Sequence, residues 1–220
     1  MSQDASITRA VLWDMDGVLV DTGEAHYQAW VKVLAGEGIP FDRDIFRQTF
    51  GMNNQGMLSF LLGHPPDPHD LKRIGDLKES IFRQAIRGEV QLLPGARKWL
   101  ERLKAAGWRQ ALASSAPQEN IDSLVDELDI RPYFTVLLSA TALPGKPDPA
   151  VFLEAARQVG VTPGACTVIE DSIPGVEAAR RAGMRCIAVT TTNPYPVLVD
   201  AGADLVVNSL EELSEEMVPG

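Results

Sequence analysis

The sequence predicts an α/β fold: a Rossmann-like parallel sheet with helices on both faces, interrupted by an inserted all-helical cap domain. Three observations indicate this architecture. A short apolar run opens the chain, strand-like runs alternate with helical patterns from residue 93 onward, and the segment between them carries helical periodicity alone. Strands separated by helices imply right-handed βαβ units, and therefore parallel strands with both faces covered.

The first strand is predicted at Ala10–Trp13, and the inserted helices follow it. Further helical patterns cover residues 44–50, 57–62 and 71–86, and a Pro-rich loop at 63–70 separates the last two. The histidines of that loop are interpreted as solvent-exposed. Apolar residues recur at helical spacing in the first inserted helix, namely Tyr27, Trp30, Val31 and Leu34.

After residue 93 helices and strands alternate regularly. The predicted helices cover 96–106, 118–128, 150–159 and 175–182. The predicted strands cover 109–113, 134–139, 167–169, 186–189 and 205–207. The chain is therefore divided into a Rossmann-like catalytic core, residues 1–22 and 91–220, and a helical cap, residues 23–90.

Composition narrows the class of protein. Hydrophobic residues make up 45% and charged residues 23% of the 220 residues, which is ordinary for a globular domain. A net charge of −10 argues against nucleic acid or an anionic membrane as the main partner. No signal-like start or 18-residue apolar run occurs, and Cys166 and Cys186 are interpreted as buried thiols. The predicted location is the cytoplasm. The oligomeric state is left open, and a monomer is compatible with the sequence.

Polar side chains follow several of the predicted strands at the point where each strand ends. In open parallel sheets, ligands bind at this carboxyl edge. Taken singly, each polar residue has an ordinary explanation as a turn, a helix cap or a solvated side chain. Together they predict one site with four carboxylates, a hydroxyl and an ammonium: Asp14, Asp16, Ser114, Lys146, Glu170 and Asp171.

Four converging carboxylates repel one another and need a cation. At 4 Å and an effective dielectric constant of 20, each like-charge pair costs on the order of 4 kcal/mol. Oxygen ligands without His or Cys favour Mg²⁺, whose remaining positions commonly take phosphate oxygens. An ionised Asp beside the cation can attack phosphorus as a nucleophile, and Asp16 is placed to protonate the leaving alcohol. Ser114 and Lys146 would hold the phosphoryl oxygens, so the site predicts phosphoryl transfer from a monoester.

Four ordered motifs then identify a resemblance. They are Asp-x-Asp-Gly-x-x-x-Asp-Thr at 14–22, Leu-Ala-Ser at 112–114, Gly-Lys-Pro-x-Pro-x-x-Phe at 145–152 and Glu-Asp-Ser-x-x-Gly at 170–175. In this order they resemble the haloacid dehalogenase superfamily, in its branch of phosphatases and phosphomutases with a helical cap inserted after the first strand.

The resemblance implies a role for each matching residue. Asp14 would be the nucleophile and Asp16 the general acid and base. Ser114, Ser115 and Lys146 would bind the transferring phosphate. The Mg²⁺ ligands would be Asp14, the backbone carbonyl of Asp16, and Asp171, with Glu170 ligating the ion or orienting its ligands. A catalytically dead binding protein on this fold would lack at least one of these residues, and none is lacking.

The first cap helix is similar to the β-phosphoglucomutase branch of the family. There, the equivalents of Thr22 and His26 couple cap closure to the acid/base carboxylate, and Lys78 is the candidate for a substrate-contacting cap lysine. A mutase must also hold a second phosphate. Asn54 stands where that branch has a cap Arg, and Ala116 stands where it has a Ser. An Asn cannot supply the charge of an Arg. The sequence therefore favours a phosphatase acting on a small phosphorylated metabolite, with a sugar phosphate preferred and a hexose phosphate mutase as the alternative.

Overall fold

The computed structural model describes residues 8–218. The start of the chain, where the sequence predicts no signal peptide, lies outside that range. Within it, six parallel strands form one sheet with the order β3-β2-β1-β4-β5-β6. The predicted parallel α/β sheet is confirmed. The strands are β1 (Ala10–Trp13), β2 (Arg109–Ser114), β3 (Val136–Ser139), β4 (Cys166–Glu170), β5 (Arg185–Val189) and β6 (Leu205–Val207).

The described helices fall into two groups. Four of the five helices between β1 and β2 form the cap, whereas the fifth and the later helices belong to the core. The cap helices are α1 (Gly23–Gly36), α2 (Arg43–Thr49), α3 (Asn54–Leu62) and α4 (Pro68–Ile86). The core helices are α5 (Ala96–Ala105), α6 (Gln118–Glu127), α7 (Ala150–Val159), α8 (Ile173–Arg181) and α9 (Tyr195–Ala201).

Three helices differ most from the sequence expectation. α3 begins at Asn54, three residues before the predicted start. α4 begins at Pro68, also three residues early, and the Asp67 carboxylate accepts a hydrogen bond from the His69 backbone N–H at 2.8 Å. α9 was not predicted; it begins at Tyr195, and like α4 it has a proline in its first turn, Pro196. In α4 and α9 the proline lies in the first turn, where no intrahelical N–H bond is lost.

The sheet is buried on both faces. Alternate residues of β1 pack into different apolar layers, with Val11 and Trp13 beside α5 and α6 and with Ala10 and Leu12 beside α7 and α8. The indole N–H of Trp13 donates to the Gln110 side chain at 3.0 Å, so this large residue is satisfied inside the core. The cap has an apolar centre of its own, which includes Trp30, Leu34, Leu58 and Ile74.

The two ends of the cap leave the core side by side. Val20 and Leu92 form an antiparallel bridge, and the Leu93 backbone N–H donates to the Leu19 carbonyl at 2.8 Å. The domain limits at 22/23 and 90/91 stay a prediction. Among the described residues, no helix combines the length and the apolar character needed to cross a membrane. Both cysteines are buried free thiols, as expected.

Candidate active site

Side chains of three neighbouring strands meet at one edge of the sheet. Asp14 follows β1, Ser114 ends β2 and Glu170 ends β4, and β1 lies between the other two strands. Parallel strands bring their carboxyl ends to the same edge, which is where open α/β sheets bind ligands. The Asp14 backbone N–H continues the ladder by donating to the Ile169 carbonyl at 3.0 Å. All three side chains are buried.

The buried acidic cluster has three carboxylates, one fewer than the sequence suggested. Asp14, Glu170 and Asp171 place their oxygens within 4.8 Å of one another. The Asp16 carboxylate lines the same cavity as Asp14, but it accepts hydrogen bonds from Thr22, at the hinge between core and cap, and from His26 of the cap. The chain turns at Gly17, whose φ of +82° favours glycine, and a β-carbon there would lie 1.9 Å from Asp171.

Lys146 lies inside the acidic cluster. Its ammonium is 2.5 Å from Asp14 and 2.6 Å from Glu170, and the side chain has no exposed surface. Buried charges of this kind are stable only when they are paired and hydrogen-bonded. One ammonium among three carboxylates leaves an excess of negative charge at the edge of the sheet.

Glu170 is saturated with hydrogen-bond donors. Its Oε1 accepts from Lys146, and its Oε2 accepts from the backbone N–H groups of Asp171 and Ser172 and from the Ser172 hydroxyl, all between 2.6 and 3.0 Å. A carboxylate offers about four acceptor positions. The donors therefore occupy Glu170 fully, and this arrangement suits a residue that orients its neighbours.

Asp171 is oriented on one side and unpartnered on the other. Thr192 donates to its Oδ2, and the Asn193 amide donates to its backbone carbonyl at 3.2 Å. Its Oδ1 is buried and has no hydrogen-bond partner among the described residues. A buried carboxylate oxygen without a partner is unfavourable. A divalent cation between Asp14 and Asp171 would satisfy this oxygen and balance the excess negative charge.

Burial and the crowding of charges change the acidity of these groups. Burial raises the pKa of Asp14 to about 7, against the opposing charge of Lys146. Burial, together with the charges of Glu170 and Asp14, raises the pKa of Asp171 well above its usual value. Without a cation, the folded protein therefore retains protons that an unfolded chain would release at neutral pH.

Removing one of these charges should stabilise the metal-free protein. Asp14 keeps its proton up to about pH 7 when folded, whereas the unfolded chain loses it near pH 4. The group thus contributes stability that is present at low pH and lost as pH rises through about 7. In chelator at pH 8, Asp14→Asn should melt several degrees above the wild type, at about 2–4 °C per kcal/mol. Thermal melts of both proteins at pH 5 and pH 8 measure this, and an equal difference at the two values would contradict it.

A chain of polar groups runs from Asp16 into the cap. The Thr22 hydroxyl and the His26 Nε2 lie 2.5 and 3.2 Å from Asp16 Oδ1, and the Lys78 ammonium lies 2.9 Å from His26 Nδ1. An ammonium can only donate, so Nδ1 accepts and the proton of the neutral ring is on Nε2, facing Asp16. Thr22 precedes α1 but does not cap it, because its hydroxyl is committed to Asp16.

The surroundings favour a neutral His26 beside an ionised Asp16. His26 stacks on Phe82 with ring centroids 3.8 Å apart, and burial together with Lys78 lowers its pKa. Burial would raise the pKa of Asp16, but His26 and Thr22 bring it below its usual value. Both hydrogen bonds are to Oδ1, which leaves Oδ2 available to a ligand.

The cap lies over this edge of the sheet and leaves a partly open cavity between them. Asp14, Asp16 and Ser114 line its floor, and cap residues line its roof. The Ser115 hydroxyl donates to the Gly51 carbonyl of the cap at 2.6 Å. A β-carbon at Gly51 would lie 2.3 Å from Ser172, so only glycine lets the cap approach this closely.

The structure also contains site residues that were missed in the sequence. Glu79 is buried beside Lys78, and it contacts Asn54 from the cap and Asn120 from the core. The sequence marked neither Glu79 nor Asn120, because each lies in an ordinary helical pattern without a motif. Lys78 contacts His26, and its role as a lysine that contacts substrate stays a prediction. Asn54 donates to Glu79 at 3.1 Å.

Comparison with known proteins identifies the family. The sequence model of the haloacid dehalogenase-like hydrolases matches residues 8–183. A phosphorylated carbohydrates phosphatase of Thermotoga maritima is 33% identical, covering 93% of this chain and 96% of its own length. A β-phosphoglucomutase of Bacillus subtilis is 32% identical, covering 96% of this chain and 93% of its own length.

Solved structures agree with this result. A β-phosphoglucomutase from Clostridium difficile superposes with a TM-score of 0.85 at 28% identity, and the match covers 96% of each chain. The predicted enzyme class, a phosphoric monoester hydrolase of this type, is confirmed. The chain belongs to the haloacid dehalogenase-like hydrolases, in the helical-cap branch that contains the β-phosphoglucomutases and related phosphatases.

Proposed function

We propose that this protein is a Mg²⁺-dependent phosphatase that hydrolyses a small phosphomonoester, preferably a sugar phosphate, through an aspartyl-phosphate intermediate. The observation that carries the proposal is that two carboxylates under the cap have different hydrogen-bond partners. Asp14 lies in the buried acidic cluster beside Lys146. Asp16 lies two residues further along the chain and is hydrogen-bonded to Thr22 at the hinge and to His26 of the cap. This difference in surroundings supports Asp14 as the nucleophile and Asp16 as the group that transfers protons.

The first half of the reaction forms the phosphoenzyme. An Asp14 oxygen attacks phosphorus, the bond from phosphorus to the leaving oxygen breaks, and that oxygen takes a proton from Asp16. The negative charge of bound phosphate raises the pKa of Asp16, as a nearby like charge does, and so allows it to carry that proton. Oδ2, which is free of the hinge contacts, is the atom that faces the leaving group.

The second half releases phosphate. Asp16, now ionised, takes a proton from a water molecule, the water oxygen attacks phosphorus, and the bond to Asp14 breaks. Inorganic phosphate leaves and both carboxylates return to their starting forms. Thr22 and His26 hold Asp16 Oδ1 throughout, which supports a carboxylate that is oriented before each proton transfer.

The phosphate-binding roles go to Ser114, Ser115 and Lys146. The Lys146 ammonium donates to Asp14 Oδ1 at 2.5 Å and so orients this carboxylate. The same ammonium can balance the negative charge of a phosphoryl oxygen. The Ser114 hydroxyl accepts a hydrogen bond from the Ala116 backbone N–H at 3.1 Å, so its own proton is free to donate. Ser115 donates to the cap in this closed arrangement, which supports an additional role in cap closure.

The residues present fit a bound Mg²⁺. Asp14, the Asp16 backbone carbonyl and Asp171 would hold the ion, and the unpartnered Asp171 Oδ1 supports this assignment. Glu170, whose acceptor positions are filled by donors, would orient them. An all-oxygen donor set favours Mg²⁺. When bound, the ion supplies positive charge to the phosphoryl oxygens.

The cap cavity favours hydrolysis over a mutase reaction. Asn54 is bonded to Glu79 and carries no charge, and Ala116 has no hydroxyl with which to hold a second phosphate. Relatives of both kinds exist, so a hexose phosphate mutase is the alternative function. The cytoplasmic location and the domain limits stay predictions.

One experiment separates the two functions. With Mg²⁺ present, the protein should release inorganic phosphate from a panel of sugar monophosphates. β-Glucose 1-phosphate should yield phosphate and not glucose 6-phosphate, and glucose 1,6-bisphosphate should not activate the enzyme. Phosphate assay and coupled detection of glucose 6-phosphate measure both products. Clean conversion of β-glucose 1-phosphate to glucose 6-phosphate would establish the mutase and exclude our proposal.

A further inference from the structure

Glu79 is a buried carboxylate in the wall of the cap cavity. It follows Lys78 in α4, and its side chain is only 6% exposed. It lines the same cavity as Asp14 and Asp16, so the leaving group of a phosphate ester bound at Asp14 would share that cavity with Glu79. A buried carboxylate is costly unless it is compensated, so its presence in this wall calls for an explanation.

Three donors hold Glu79 in one position. Its Oε1 accepts from Lys78 at 2.9 Å and from Asn54 at 3.1 Å, and its Oε2 accepts from Asn120 at 2.7 Å. Burial would raise the pKa of Glu79, but the Lys78 charge brings it below the usual value, so the group is ionised. A carboxylate has about four acceptor positions. One position on Oε2 therefore remains for a donor from the substrate.

The contact with Asn120 comes from the core and fixes Glu79 when the cap is closed. Asn120 lies in α6 and is fully buried. The Arg83 guanidinium donates to the Asn120 side-chain oxygen at 3.0 Å, which leaves the amide N–H₂ pointing to Glu79. Closure of the cap thus places the same carboxylate oxygen in the same position at each turnover.

The charges around this cavity disfavour a second anion. Among the described residues that line it, Lys78 is the one Lys or Arg, and its charge is already paired with Glu79. His26 is neutral, and Asp16 is a second carboxylate. An anionic group on the leaving part of a substrate would meet two carboxylates and no unpaired cation. Placing like charges together in this way penalises the wrong ligand strongly.

We propose that Glu79 determines substrate specificity: it accepts a hydrogen bond from a hydroxyl of the leaving group and excludes leaving groups that carry a second phosphate or a carboxylate. The preferred substrate is then the monophosphate of a neutral polyhydroxy compound. This inference rests on the proposed phosphatase function and adds the chemical class of the leaving group.

Pairs of matched substrates test the inference. Fructose 6-phosphate is compared with fructose 1,6-bisphosphate, and glucose 6-phosphate with 6-phosphogluconate, by phosphate release with Mg²⁺ present. In the wild type, kcat/KM for the neutral member should exceed that for the anionic member by at least about 100-fold. In Glu79→Gln, this ratio should fall by at least about tenfold, mainly through a lower KM for the anionic substrates, because the Lys78 charge is no longer balanced.

An exposed carboxylate away from the cavity provides the control. Glu215→Gln makes the same chemical change at a residue whose side chain is 76% exposed and which pairs with Arg102, outside the cavity and outside the contacts of Glu79. Its ratio should equal that of the wild type. An unchanged ratio in active Glu79→Gln would overturn the inference, and so would a wild-type ratio near one even if the variant failed to fold. Phosphate release from no substrate at all would instead contradict the proposed phosphatase function, and the inference with it.

Discussion

Asp14→Asn should lower phosphate release by more than about 10⁴-fold, because loss of the nucleophile in a covalent mechanism costs about as much as loss of the whole catalytic group. The substitution keeps the shape of the side chain and removes the attacking charge and one of the proposed metal ligands. Steady-state assays on the best sugar phosphate measure the loss. Chelation of Mg²⁺ in the wild type should reduce the rate to a similar level.

The control for this variant is Asp44→Asn, an identical chemical change at an exposed ion pair of the cap. It should leave the rate within about twofold of the wild type, in line with the small worth of surface pairs. Circular dichroism shows that both variants are folded. Release at a rate near that of the wild type in Asp14→Asn, or in excess chelator, would remove the basis for a nucleophilic Asp14.

Asp16→Asn should produce a loss that depends on the leaving group. Proton transfer by a positioned carboxylate is worth roughly 10²–10⁴-fold. A sugar alcohol is a poor leaving group and needs the proton, so its phosphate should show the full loss. An activated aryl phosphate needs little protonation, so formation of the phosphoenzyme from it should be reduced far less.

Burst-phase kinetics on the aryl substrate separate formation of the phosphoenzyme from its hydrolysis. In Asp16→Asn the burst should survive while the later steady rate falls, since hydrolysis of the phosphoenzyme needs a base that takes a proton from water and the amide cannot serve as one. Equal losses on sugar and aryl phosphates, with no burst, would assign Asp16 to binding and not to proton transfer.

The sequence predicted the strand-end residues of the site better than the contacts that these residues make with the cap. Asp14, Ser114 and Glu170 could be predicted because each stands at the end of a strand whose apolar run is clear, and parallel strand ends share one edge of a sheet. The direction of Asp16 could not be predicted in the same way. It depends on the turn at Gly17 and on contacts with Thr22 and His26, which no local sequence pattern specifies.

Local sequence patterns could not predict the contacts between the cap and the core. Glu79 and Asn120 are 41 positions apart and come from the cap and the core, so no helical periodicity brings them together. α9 was missed for a different reason, since Pro196 in its first turn resembles a break in the chain. The contact between Glu79 and Asn120 depends on how the cap packs on the core. α9 can form because the first turn of a helix tolerates proline.

The pairing of Val20 with Leu92 has a consequence for how this protein can diversify. The two ends of the insertion lie next to each other in the core. For the sheet, the insertion is therefore equivalent to a loop with fixed ends, whatever its length or sequence. Loop closure then costs the scaffold little more for a long insertion than for a short one. A different cap inserted between these two positions can accordingly change substrate selectivity. The core residues that act on the phosphate ester are kept.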